Sequence, residues 1–305
     1  MKKKSVQLPA LLLALCVTAC QIPFFNQKTP GGYVRHCAFL LNSQGLYADS
    51  PEWRAKMKEV FAEASKISSI EEAHDVVTAA AKVAGGKHSF LAEPVSDTAS
   101  YPECAPEVRL LEDGIALVQL PFHTGDRISD SLYIHTVSDF LQQHLDAKGV
   151  IVDLRGNTGG NMYPMIASVG ALLPDGIIIS FKSRKRTTPI SLQYVLRSYG
   201  VPLDDSGKFP STVPIAVLTD GQTASSGEAT LICFRGLENV RTFGAPTAGY
   251  ASGNVTHFLA DGYRLAITHS RDKARTGELF CDDPIEPDVP TDTPLEDAIS
   301  WMQQR

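Results

Sequence analysis

A chain of 305 residues, 43% of them apolar, holds enough hydrophobic material for one large domain or for a core with a smaller appendage. Its formal charge of −6 speaks against a nucleic-acid partner. Loss of residues 1–19 would take three lysines and no acid, moving that charge to −9; this weakly favours a cationic partner, although a solvated acidic surface is the usual explanation for such a balance.

The first residues read as a targeting device. Lys2-Lys3-Lys4 precede a short apolar run over 8–17, too short to span a bilayer. Val17-Thr18-Ala19-Cys20 resembles a bacterial lipobox, so 1–19 is expected to be a signal peptide and Cys20 to carry lipid. Residues 20–32 then form a tether. No later stretch is long and apolar enough to cross a membrane, so the mature protein is expected to be extracytoplasmic, soluble and held to a bacterial membrane by its lipid.

Helices are predicted over 33–42, 51–65 and 70–83. The second has Ser50 as N-cap, Pro51 at its first position, and Trp53, Met57, Val60, Phe61 and Ala64 on one face. The third is capped by Ser69 and turns Ile70, Ala73, Val77 and Ala80 inward. Together they predict a small helical cap over 33–105. It includes Gly85-Gly86-Lys87-His88-Ser89, a loop on which a histidine by itself reads as a surface residue, and a polar linker over 96–106.

A second architecture follows, over 106–305. Strands are predicted at 114–120, 149–154, 176–182, 213–219 and 240–243, with helices at 128–146, 163–173, after Ala224, and at 295–303. Residues 183–206 read as a charged, exposed segment, and 254–260 with 263–269 as a hairpin turning at Asp261-Gly262. Strands alternating with helices predict a mainly parallel α/β core. Cys37, Cys104, Cys233 and Cys281 remain after processing. An even number in an exported chain predicts two disulfides with three possible connectivities, of which Cys37–Cys104 with Cys233–Cys281 keeps each bond within one half. No spacing suits zinc, and no metal or cofactor is expected.

Two glycine-bearing turns end apolar strands. In Thr223-Ala224-Ser225-Ser226-Gly227-Glu228, a serine sits between a buried strand and a helix N-terminus, well placed as a nucleophile, although Ser225 or Ser226 could equally be an ordinary cap. In Asp153-Leu154-Arg155-Gly156-Asn157-Thr158-Gly159-Gly160, bare backbone can approach a ligand as an oxyanion hole requires, or simply make a tight connection. Both turns fall on the carboxyl edge of the sheet, where α/β sites form.

This pair of motifs, with Gly160 and Ser225 65 residues apart, resembles the S41 family of serine peptidases. Gly244-Ala245-Pro246-Thr247-Ala248-Gly249 and Ile285-Glu286-Pro287-Asp288-Val289 match further segments of that family, so the resemblance runs over about 114–289. It implies a ClpP/crotonase-like core and Ser225 as nucleophile. The backbone N–H groups of Ser226 and of Gly159 or Gly160 would form the oxyanion hole. Processing-type members use a lysine base after Pro-Thr-x-Gly, and 246–253 contains none. Tricorn-type members use a histidine in a His-Ser/Thr-x-Phe/Leu segment, which Lys87-His88-Ser89-Phe90-Leu91 resembles, making His88 the expected base. Cys281 stands where such members place a glutamate, so a Ser/His dyad is expected. Between His88 and Gly114 there is no room for a PDZ domain. The implied activity is hydrolysis of extended peptides, with a cationic antimicrobial peptide as the expected substrate. The rival readings are a general processing peptidase and a peptide-binding homologue without activity.

Overall fold

The computed structural model describes residues 25–94, 104–201 and 207–305; the signal segment and Cys20 lie outside the described residues. Three helices come first: α1 (Pro30–Gln44), α2 (Pro51–Glu63) and α3 (Ile70–Gly85). Each begins at a polar cap. Thr29, Ser50 and Ser69 accept the N–H of Gly32, Trp53 and Glu72 respectively, satisfying amides that the helix itself cannot. The first helix starts inside the segment expected to be a tether, because Thr29-Pro30 is a cap followed by a proline in the first turn.

The chain continues through β1 (Phe90–Ala92), β2 (Glu107–Leu110), β3 (Ile115–Gln119), α4 (Arg127–Gln143), β4 (Gly149–Asp153) and α5 (Met162–Ser168). Next come β5 (Ile177–Ser183), β6 (Thr187–Ser191), α6 (Leu192–Ser198), β7 (Ile215–Thr219), α7 (Ser226–Phe234) and β8 (Val240–Gly244). It ends with β9 (Ser252–Phe258), β10 (Arg264–Ala274), β11 (Leu279–Phe280), β12 (Val289–Pro290) and α8 (Pro294–Gln303). Among the described residues, only β1 and β2 lie between His88 and Ile115, with no inserted domain.

Two sheets carry the architecture. The first has the order β12-β8-β7-β4-β3-β2, parallel throughout except for β2, which is the mainly parallel core expected. β4 and β7 are buried along their whole length, as their continuous apolar runs require. Alternate side chains divide between two cores. Val150 and Val152 meet the helices α4, α5 and α7, while Ile151 meets Ala298 and Met302 of α8. Asp153 lies opposite Leu218, so the turns leaving β4 and β7 emerge side by side.

The second sheet is antiparallel, β1-β10-β5-β6, with β9 and β11 also on β10. It extends well beyond the single hairpin that the sequence suggests. The segment expected to be charged and exposed contributes β6 and α6, because Ile190, Leu192, Val195 and Leu196 among its charges are all buried. The cap helices share a core with Leu259, Leu265 and Ile267 of this sheet. β10 then runs on until Ala274 enters the main core. One eleven-residue strand thus connects the core of the cap to the main core.

The expected disulfides are not formed; all four cysteines are free. Cys37 is buried in the core of the cap and Cys233 in the main core, so neither sulfur has another to meet. Cys233 instead donates to Ala229 O one helical turn back, at 3.2 Å. Cys281 lies 3.5 Å from Tyr47 Oη, and Cys104 is exposed. Burial pushes the Cys37 and Cys233 thiols up, away from thiolate chemistry.

Candidate active site

The adjacent turns after β4 and β7 are knitted together by side chains. Asn157 is fully buried; its Nδ2 donates to Leu120 O at 2.8 Å and its Oδ1 accepts Gly159 N at 2.9 Å. Its backbone carbonyl accepts Ala224 N from the other turn, also at 2.9 Å. Thr223 Oγ1 returns the link by donating to Leu154 O, and Asp220 accepts Gly156 N. Arg155 holds Asp153 through Nε and Nη2, at 2.9 and 2.6 Å. The Asp-Leu-Arg-x-Asn pattern is therefore a scaffold for the glycines that follow it.

Ser225 sits at φ 52°, ψ −112°, the one non-glycine residue at positive φ among the described residues. Such a conformation costs of order 1–3 kcal/mol and persists only where its surroundings impose it. Here Glu228, fully buried one turn into α7, imposes it. The carboxylate accepts the N–H groups of Ser225, Gly249 and Tyr250 at 2.9, 2.8 and 2.7 Å, and the Thr247 hydroxyl. Burial pushes the Glu228 carboxyl up, against the pull of these donors.

The second turn presses against this serine. A side chain on Gly159 would bring its Cβ to 2.9 Å from Ser225 Cβ, and one on Gly160 would meet His123 O at 2.0 Å. Both glycines have φ 109°. Their two N–H groups differ: Gly159 N is committed to Asn157, whereas Gly160 N and Ser226 N have no hydrogen-bond partner among the described residues. Ser226 Oγ donates to Gly160 O at 2.7 Å, tying the two open amides together. The loop is braced by His123, whose N–H and C=O bond Gly159 O and Asn161 N, and whose buried ring meets Asp130 at 2.7 Å.

His88 arrives from the other sheet, and both neighbours of its loop are pinned. Ser89 is buried, its Oγ accepting Thr268 N at 2.9 Å from β10, and Lys87 Nζ donates to Ala248 O at 3.0 Å. His88 Nδ1 lies 2.9 Å from Ser252 Oγ, and its ring meets Tyr250 edge-on at 5.2 Å. Among the described residues no carboxylate bonds this imidazole. Burial, with Lys82 and Lys87 adding to it, lowers the His88 pKa to about 4, so the ring is neutral at pH 7.

A cavity of about 510 Å³ takes in His88, Ser225, Ser226, Gly160, Ser252, Asn161 and Asp272. The expected serine and histidine, 137 residues apart in the chain, thus share one space. Cys281 is not part of it; it packs by Tyr47 behind the His88 loop. Lys87 reaches the Pro-Thr-Ala-Gly segment where processing-type members place their lysine, yet its Nζ is spent on Ala248 O and the Tyr250 ring, outside the cavity. Asn157, Thr223, Glu228 and Ser252 escaped the sequence reading as site residues. Asn157 and Glu228 stand inside the motifs, but Ser252 is one serine among many and has no local signal.

The sheet, the paired turns and the cavity are those of a peptidase, and the chain belongs to peptidase family S41, whose family model matches residues 115–291. It is 35% identical over 283 residues to the nisin-resistance protein of Lactococcus lactis subsp. lactis, covering 91% of this chain and 88% of that protein. A solved lipoprotein from Streptococcus agalactiae is 32% identical with a TM-score of 0.78, covering 92% of this chain and 99% of that one. A structure from Parabacteroides merdae, at 15% identity and TM-score 0.65 over 90% of this chain and 96% of that one, shares the fold.

Proposed function

We propose that this peptidase is a serine enzyme using a Ser225/His88 dyad, held outside the cell membrane by lipid on Cys20, and that it degrades a cationic antimicrobial peptide of the lantibiotic kind. The observation that carries the reading is the convergence of a strained serine, a neutral histidine and two open N–H groups on one cavity. With Nδ1–H donated to Ser252 Oγ, the lone pair of His88 lies on Nε2. Nε2 takes the Ser225 proton as Oγ attacks the scissile carbonyl, then delivers it to the leaving amine; water hydrolyses the acyl-enzyme by the same route reversed. The N–H groups of Ser226 and Gly160 receive the oxyanion, Gly159 N being already committed to Asn157. The helical cap over 33–105 would restrict entry to extended peptides. Similarity to a nisin-resistance protein and to a lipoprotein supports the substrate and the location.

The test is digestion by the soluble protein (residues 21–305) of a cationic lantibiotic and of a neutral unfolded peptide of equal length, followed by mass spectrometry. Faster cutting of the lantibiotic is expected, with cutting of both peptides abolished by Ser225→Ala and by His88→Ala. Equal rates on both peptides would leave a general processing peptidase as the better description. Cleavage by Ser225→Ala at the wild-type rate would end the serine assignment.

A further inference from the structure

Asp272 has no role in the dyad, the oxyanion hole or the scaffold that supports them. It stands on β10, 1% exposed, between Phe181 of β5 and Phe280 of β11. It forms no ion pair among the described residues, and its Oδ1 is buried with no hydrogen-bond partner. Neither neighbouring arginine pairs with it: Arg275 Nη2 donates to Cys233 O while its buried Nε has no partner, and Arg271 is exposed. Burial raises its pKa, and the charge of Glu228, another carboxylate, adds to that. An unpaired buried carboxyl is among the costliest groups that a fold can keep, and it is kept where a ligand completes it.

Asp272 opens into the Ser225 cavity. A second buried acceptor in that cavity, Asn254 Oδ1, also has no partner. Small residues, Ala229, Gly253 and Ala266, are among those that line the cavity. Two unmatched buried acceptors in one cavity call for a donor, and the carboxyl among them for a cationic one.

We infer that Asp272 is the specificity residue of this peptidase, receiving the ammonium or guanidinium of a Lys or Arg side chain that flanks the scissile bond. The inference rests on the cavity being the peptidase site. Burial and Glu228 push the free carboxyl up, and an arriving cation acts in the opposite direction, favouring its ionised form. The substrate is thereby selected by one basic residue next to the bond, rather than by overall charge alone.

The experiment uses two peptides with a mapped cut site, identical except for Lys or norleucine beside the bond. Wild-type kcat/KM is expected to favour Lys by about 10- to 100-fold, the range that one charge-assisted contact supplies. Asp272→Asn should bring the two to near equality, by loss on the Lys peptide alone. Binding of both peptides to Ser225→Ala, read by fluorescence anisotropy, should show the same preference, and the added Asp272→Asn should erase it. The Tm of Asp272→Asn should equal or exceed that of wild type, whereas a structural carboxyl would lower it. Cleavage without a Lys preference overturns the inference and leaves the peptidase reading standing. Lys-selective binding without cleavage defeats the catalytic reading and with it the specificity role, leaving Asp272 as the Lys-binding residue of a peptide-binding site. A Lys preference that survives Asp272→Asn, or loss of both substrates together, overturns the role of Asp272.

Discussion

An imidazole held near pKa 4 gives the enzyme an acid tolerance that an ordinary histidine would not. In the proposed dyad, protonated His88 could not accept the Ser225 proton, so kcat/KM should fall as pH drops through the pKa of the free enzyme. With that pKa at about 4 rather than 6.5, about 97% of the imidazole is still basic at pH 5.5, against about 9% for an unperturbed ring. The leading cause is burial, followed by Lys82 and then Lys87. Lys82 is exposed and outside the cavity, donating only to Lys87 O, so Lys82→Met tests the charge contribution without touching the chemistry. The assay is kcat/KM from pH 3.5 to 8 on a substrate that does not titrate in that range, with circular dichroism at each pH to show that the fold persists. Wild type should keep nearly full activity at pH 5.5. Lys82→Met should move the acid limb upward, towards 6.5, with a shift that shrinks as salt screens the charge. An acid limb at 6.5 or above in the folded wild-type protein would refute the buried-imidazole argument.

Glu228→Ala should cost about 3–5 kcal/mol in urea unfolding, because four donors lose their acceptor inside the protein, and a loss below about 1 kcal/mol would refute that account. The unreduced soluble protein should show Cys37, Cys104, Cys233 and Cys281 all as thiols once unfolded, with Cys104 the first to react in the native state. Recovery of any disulfide-linked peptide by mass spectrometry would contradict the free thiols.

Much of this protein is written locally. The runs that become β4 and β7 are apolar throughout and can only be buried strands. Ser50, Pro51 and Ser69 announce helix starts, and the two glycine turns announce the carboxyl edge of the sheet. Periodicity and capping involve neighbours a few residues apart, and the chain carries that information without folding. What tertiary structure decided is which distant groups meet. His88 has no local mark of a catalyst; Ser89, buried against Thr268, and Lys87, bonded to Ala248, deliver it to Ser225. Gly159 and Gly160 are indistinguishable in sequence, and only the side chain of Asn157 takes one N–H and leaves the other open. Asp272 is the sharpest case. Within Arg271-Asp272-Lys273 it reads as part of a solvated face. On β10 Ser270, Asp272 and Ala274 are buried while Arg271 between them is exposed, and the pairing of Asp272 with Phe181 of β5 and Phe280 of β11 sets it inside. A strand alternates its faces with period two, and which face lies inside is decided by the elements that pack on it, not by the three residues themselves.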